Sequence, residues 1–243
     1  MRIDVLTLFP EIFTHFEEWS IIGKIINKGL VTIRKINIRD FSEDKHKRVD
    51  DYPYGGGPGM IMKPEPIYSA IKEVKSDNSK VIYLSPQGKV LNQQLVNRLS
   101  KEEHLILLCG HYEGIDNRII ENYVDLEISI GDYVLTGGEI PAMVLIESII
   151  RLLPGALGKE SYKEESHFNG LLEYPQYTRP RVFNGLSVPE VLLSGNHQKI
   201  QEWRKYQSLK NTYLKRPDLL ENIQLTDEEM KILKKIKEEF ERK

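Results

Sequence analysis

Five short runs rich in Val, Ile and Leu, at residues 3–8, 31–39, 81–85, 105–109 and 125–130, alternate with segments of helical period at 20–28, 66–75, 92–100 and 116–122. This alternation constrains the fold more than any other feature of the chain. A run such as Leu105-Ile106-Leu107-Leu108-Cys109 has no polar residue at every second position, as expected of a strand covered on both faces. Such strands, separated by helices, predict an α/β fold with a parallel sheet flanked by helices.

The next helical segment, 139–153, is apolar at Ile140, Ala142, Met143, Val144, Leu145, Ile146, Ile149, Ile150, Leu152 and Leu153. That is too many positions for one stripe. The helix is therefore expected to be buried on most sides, at the centre of the domain or in a dimer interface. After Pro154-Gly155 the stretch "GKESYKEESHFNGLLEYPQYTRP" is polar, aromatic and turn-rich, and reads as a mobile linker. From about residue 188 the chain reads as helical, and Thr226 with Glu229 forms a capping box that opens a final helix.

The formal net charge of −2 rules out a global basic field, so attraction for nucleic acid must be local. Between His197 and Arg216 there are six basic residues and one acid, interleaved with Trp203, Tyr206 and Tyr213. That mixture suits phosphate contacts and base stacking, and equally a solvated helix with its aromatics turned to a core. The single cysteine, Cys109, forbids an internal disulfide and reads as a small buried hydrophobe. The opening "MRIDVLTLFPEIF" carries acids and a proline where a signal peptide needs an apolar core. No run approaches the ~18 uncharged apolar residues of a membrane span. A cytoplasmic location is the expectation.

Neither Gly-x-Gly-x-x-Gly after a strand nor Gly-x-x-x-x-Gly-Lys-Ser/Thr occurs, which disfavours an ordinary Rossmann dehydrogenase and a phosphate-loop ATPase. Three other loops each follow a predicted strand: "LSPQG" at 84–88, "CGHYEGID" at 109–116 and "SIGDYVLTGGEIP" at 129–141. In a parallel sheet these ends share one edge, where ligands bind, and together the loops point to a nucleotide-like cofactor. A fourth loop, "VDDYPYGGGPGM" at 49–60, has four glycines in five residues and leaves much backbone open to a partner.

These motifs, with "RLLPG" and "GLLEYPQYTRP…VPEVLLSGNH", resemble the bacterial tRNA (guanine-37-N1)-methyltransferase family of knotted SPOUT methyltransferases. The resemblance runs in order from Met1 to beyond Lys210. It implies a SPOUT-type sheet with a deep trefoil knot, which pattern reading by itself does not propose, and a small all-helical C-terminal domain. The implied organisation is a knotted S-adenosylmethionine-binding domain at 1–159, a flexible linker at 160–174 and a helical tRNA-binding domain at 175–243. A homodimer with shared sites, S-adenosylmethionine as methyl donor and dependence on Mg²⁺ are implied too, although no metal-ligand cluster is legible. Carried over residue by residue, the donor is bound by Tyr83, Leu84, Ser85 and Pro86, by Gly110, Tyr112, Glu113 and Gly114, and by Ile130, Gly131, Tyr133, Leu135, Gly137, Gly138 and Pro141. The glycines of the third loop would then let the backbone close around the ligand. Asp51, Tyr54, Gly55, Gly56 and Gly57, with Lys199, Arg204, Lys205 and Lys210, are the expected RNA contacts.

Guanine N1 carries a proton at neutral pH, so its methylation needs a base and a cation or donor for the charge developing on O6. Arg151 matches the family's catalytic arginine. The family commonly has Asp-Ser where Glu165-Ser166 stands, making Glu165 the candidate base, with Glu164 and Glu173 as competitors and His167 as a nearby titratable group. Tyr52 and His111 stand where arginine is common in the family. Two other readings remain at this stage: a SPOUT enzyme acting on another RNA atom, such as a ribose 2′-oxygen, or a non-catalytic RNA-binding protein.

Overall fold

The computed structural model describes residues 1–157, 166–167, 170–221 and 223–241. They fall into two compact units, Met1–Gly158 and Lys159–Lys243.

The first unit carries β1 (Arg2–Thr7), α1 (Phe13–Glu18), α2 (Ser20–Asn27), β2 (Thr32–Asn37), β3 (Asp50–Asp51), β4 (Ile61–Met62), α3 (Pro64–Val74), β5 (Ser79–Val90), α4 (Gln93–Leu99), β6 (His104–Cys109), α5 (Asn117–Tyr123), β7 (Leu126–Ser129) and α6 (Glu139–Ile150). The five apolar runs are all strands of one sheet, in the order β2-β1-β6-β5-β7, and every pairing is parallel. Successive side chains of a strand point to opposite faces. In β6, Leu105, Leu107 and Cys109 therefore join Ile3, Val5 and the helices α1, α2, α4 and α6. Ile106 and Leu108 join Leu6, Tyr83 and the helices α3 and α5. Leu107 is fully buried, so Leu107→Ala is expected to cost about 2–5 kcal/mol, read as a lower urea midpoint with an unchanged slope.

The strand β5 holds the one irregularity of the sheet. Leu84 and Lys89 both pair with Ile128, and residues 85–88 fold out between them. A Cβ on Gly88 would lie 2.4 Å from the Ile128 backbone nitrogen. Only glycine lets the strand return against β7.

Of the two settings expected for the helix α6, the centre of the domain is not the one observed. Ala142, Leu145, Ile146, Ile149 and Ile150 are buried, but Ile140 is 54% and Val144 40% exposed. It is apolar all round, yet within this chain only one side is covered. The helix α1 was not anticipated. It is six residues long, and its buried pair Phe13 and Phe16 is too short a pattern to read.

The second unit has α7 (Glu190–Leu193), α8 (His197–Lys215) and α9 (Asp227–Glu241), and also a hairpin of β8 (Val182–Phe183) and β9 (Leu186–Ser187). It is therefore not all-helical. Asn184 and Gly185 both have positive φ, the two-residue turn that Asn-Gly favours between strands. The expected capping box is present: the Thr226 amide donates to Glu229 Oε2 at 2.8 Å, and the Glu229 amide to Thr226 Oγ1 at 3.3 Å. Residues 170–174, expected within the linker, run along α8. The Leu172 amide donates to Thr212 Oγ1, Ser208 Oγ to the Leu172 carbonyl, and Asn211 Nδ2 to the Glu173 carbonyl.

Candidate functional site

The C-terminal ends of β5, β6 and β7 lie side by side, and the loops that leave them surround a cavity of about 210 Å³. Parallel pairing is the cause, because every strand then releases its loop at the same edge. The first loop contributes Tyr83, Leu84, Ser85 and Pro86 to the lining, the second Gly110, Tyr112, Glu113 and Gly114. Ile130, Gly131, Tyr133, Leu135, Gly137, Gly138 and Pro141 come from the third. All fifteen residues named from sequence for donor binding thus meet in one place. Six others join them: Gln87, His111, Ile128, Ser129, Val134 and Thr136. Five of them lie inside the same motifs, and Ile128 lies in the strand run that leads into the third.

The glycines of the third loop answer first to the protein's own atoms. A Cβ on Gly138 would sit 2.7 Å from Cys109 Cα, and one on Gly137 would sit 2.3 Å from His111 Nε2 and 2.6 Å from Glu139 Oε2. Gly131 has φ +152°, with the Tyr133 ring 2.5 Å from where its Cβ would be. The second and third loops are consequently in backbone contact. The Gly138 amide donates to the Gly110 carbonyl at 3.0 Å, and His111 and Gly137 form an isolated antiparallel bridge. Gly110 is held likewise, its Cβ position lying 2.9 Å from the Tyr83 hydroxyl. Burial, reinforced by the Glu127 carboxylate, pushes the Tyr83 phenol up to about 12, so it stays neutral at physiological pH.

Behind the cavity lies a buried carboxylate. Glu139, in the first turn of α6, is 5% exposed. Thr7 Oγ1 donates to its Oε1 at 2.6 Å, and His111 Nε2 is 2.7 Å from its Oε2. Thr7 Oγ1 also accepts from the Phe9 amide, and the Phe9 ring meets the His111 ring edge-on at 4.9 Å. A carboxylate so deep needs such partners, since an unpaired one is strongly disfavoured. Burial, with Glu139 nearby, pushes the Cys109 thiol well above its usual range. Cys109 is a packing residue, not a nucleophile.

The glycine-rich loop connects β3 to β4, and β4 is joined to the second cavity loop. The Met62 amide donates to the Gly114 carbonyl, the Asp116 amide to the Met62 carbonyl, and the Glu113 amide to the Met60 carbonyl. Gly59, at φ +85°, lies so close under Glu113 that a Cβ would meet Glu113 Cγ at 2.4 Å. Asp51, Tyr54, Gly55, Gly56 and Gly57 are all exposed. Nothing lies within 4 Å of a Cβ on any of the three glycines. This tip is open surface attached to the rim of the cavity.

Within the second unit the cations of α8 serve largely to pack it. The Arg204 guanidinium lies over the Tyr174 ring at 4.7 Å. Lys205 pairs with Glu228 at 2.8 Å, and Lys210 lies 5.4 Å from the Phe240 ring centroid. Lys199 is exposed in the first turn.

Arg151 follows the last residue of α6. Pro141 lines the cavity ten residues earlier, so Arg151 lies about 15 Å farther along the helix axis, at 1.5 Å per residue. Arg151 is not among the residues that line the cavity. Glu165 and its competitor Glu164 lie outside the described residues. Glu173 accepts from Gln176 Nε2 at 2.5 Å, and His167 is exposed. Among the described residues no group of three or more His, Cys, Asp or Glu side chains is placed to hold a metal ion, and no helix is long and apolar enough to cross a membrane.

Chemically, the cavity offers apolar walls from Leu84, Ile130 and Leu135, backbone approach at several glycines, and the Glu113 carboxylate. This suits a ligand with a planar ring at one end and a cation at the other.

Residues 1–222 match the family model described as tRNA (Guanine-1)-methyltransferase TrmD. The chain is 56% identical over 241 residues to a tRNA (guanine-N(1)-)-methyltransferase of Dictyoglomus turgidum, covering 99% of this chain and 98% of the relative. It is 62% identical over 227 residues to the protein of the same name from Ruminiclostridium cellulolyticum, covering 92% and 97%. A third, from Fusobacterium nucleatum, is 56% identical over 239 residues, covering 98% and 99%.

Proposed function

Because this chain belongs to the tRNA (guanine-1)-methyltransferase family and is an enzyme of that activity, we propose that the three-loop cavity binds S-adenosylmethionine and that the methylated atom is N1 of guanosine 37 in tRNA. The observation that carries this reading is the meeting of all three glycine loops at one edge of the parallel sheet. The bound donor supplies an electrophilic methyl group. The chain's own residues do the rest. Leu84, Ile130 and Leu135 take the adenine, and Glu113 faces the positive charge of the donor. Glu165 removes the N1 proton, and Arg151 meets the charge that develops on O6. The loop through Asp51, Tyr54, Gly55, Gly56 and Gly57, with Lys199, Arg204, Lys205 and Lys210, receives the RNA.

On this reading residues 1–159 form a knotted donor-binding domain, 160–174 the tether bearing the base, and 175–243 the tRNA-binding part, in a cytoplasmic enzyme. The passage of Gly138 against the Cys109 backbone supports a chain drawn tightly through the second loop. A homodimer is supported by two features of α6. Ile140 and Val144 leave an apolar face open, and Arg151 sits too far along the helix to serve the cavity of its own chain. The Mg²⁺ dependence is tested by chelation and add-back.

Unmodified tRNA transcripts with guanosine at position 37 are expected to accept methyl groups, and transcripts with adenosine there to accept none. Digestion should yield N1-methylguanosine. A methyl group recovered on a ribose oxygen would transfer the case to a different RNA methyltransferase.

A further inference from the structure

The donor-binding loops are tied together from behind by groups that the reading above does not use. We propose that Thr7, Glu139 and His111 form a positioning strut, which holds the second and third loops at the separation the methyl donor requires. The inference rests on the cavity's being the donor site.

The strut begins on β1, where Thr7 is fully buried. It passes through Glu139 at the start of α6 and ends on His111 in the second loop, with contacts of 2.6 and 2.7 Å. Glu139 is 5% exposed and takes no part in lining the cavity. It therefore acts through other groups. Its carboxylate spans elements far apart in sequence, because Thr7 and Glu139 are 132 residues apart and His111 and Glu139 are 28 apart. Backbone contacts run beside it, from the Gly138 amide to the Gly110 carbonyl and between His111 and Gly137. A carboxylate that accepts from both a hydroxyl and an imidazole holds both at fixed distance. The His111 ring also fills the space that a side chain on Gly137 would need. The glycine pair before Glu139 is thus explained by the strut and by β6, before any ligand is considered.

The test has a ligand-free arm and a ligand arm, both on the full chain. Without ligand, Glu139→Ala is expected to speed hydrogen exchange of the amides at 131–138 while leaving the amides of β6 protected. Glu139→Gln should restore protection, because the amide still accepts from Thr7 and can donate to the imidazole in its other tautomer. In equilibrium dialysis with labelled S-adenosylmethionine, Glu139→Ala should weaken retention by about 10–100-fold, the range for losing a hydrogen bond to a charged group. KM for the donor should rise, with kcat at saturating donor nearly unchanged. Thr7→Val removes the hydroxyl at a residue that does not line the cavity while keeping the shape, and it should shift binding and exchange in the same direction if Glu139→Ala fails to fold. A wild-type chain that retains no donor would sink the cavity assignment and leave the exchange arm intact. Variants that bind donor and exchange like wild type, beside a wild-type chain that binds it, would overturn the strut.

Discussion

A Glu165→Gln chain is expected to retain S-adenosylmethionine and to lose roughly 10²–10⁴ in single-turnover methyl transfer, the usual contribution of a positioned general base. The reason lies in the nucleophile. Guanine N1 holds its proton at neutral pH, and the lone pair that attacks the methyl group is freed only as that proton leaves. A carboxylate on the segment after the first unit is the group available in the right order along the chain, and glutamine keeps its size while removing its basicity. The wild-type rate should rise with pH through the base's titration, and the variant should lack that limb. Glu164→Gln and Glu173→Gln serve as controls. Glu173 already receives a hydrogen bond from Gln176 and lies along α8, so its loss should change turnover little. A Glu165→Gln chain with near-normal turnover would pass the role to Glu164 or to a water.

The second large effect concerns Arg151. Arg151→Ala is expected to reduce turnover by about 10²–10³, as when one donor to a developing oxyanion is removed, with donor affinity unchanged. The position of Arg151 makes a sharper forecast possible. It stands about 15 Å along α6 from Pro141, at 1.5 Å per residue, so on the proposed reading it acts at the cavity of a second copy. A Gly138→Ala chain should bind no donor, because its new Cβ would fall 2.7 Å from Cys109 Cα. Mixed and refolded together, the two inactive chains should recover activity, since each hybrid dimer holds one intact cavity facing one intact Arg151. No recovery, with hybrids demonstrated by mass spectrometry, would place both groups in one chain.

The strands and most helices of the first unit were legible because their signals are local. The Val/Ile/Leu runs became the five strands of the sheet, and the capping box at Thr226 begins α9 as read. The Asn184-Gly185 turn was legible in principle, but two-residue strands on either side leave no alternation to see. Two settings for α6 stayed open in the sequence because an apolar helix reports how much surface wants covering, not what covers it. Glu139 was passed over as a site residue because a carboxylate beside an apolar helix looks like an ordinary first-turn acid. Only its burial and its two partners mark it.

The sequence alone determined which segments form the five-stranded sheet, that they run parallel, and that the glycine loops would gather at one edge. Each of these follows from residue type over a few neighbouring positions, or from the direction that helical crossovers impose. Only the tertiary structure decided that β6 lies between β1 and β5, that Thr7 reaches Glu139 across 132 residues, and that Gly137 and Gly138 are required by neighbouring protein atoms. Those facts depend on contacts between distant parts of the chain, and no local pattern of residues encodes which distant atom will occupy a given space.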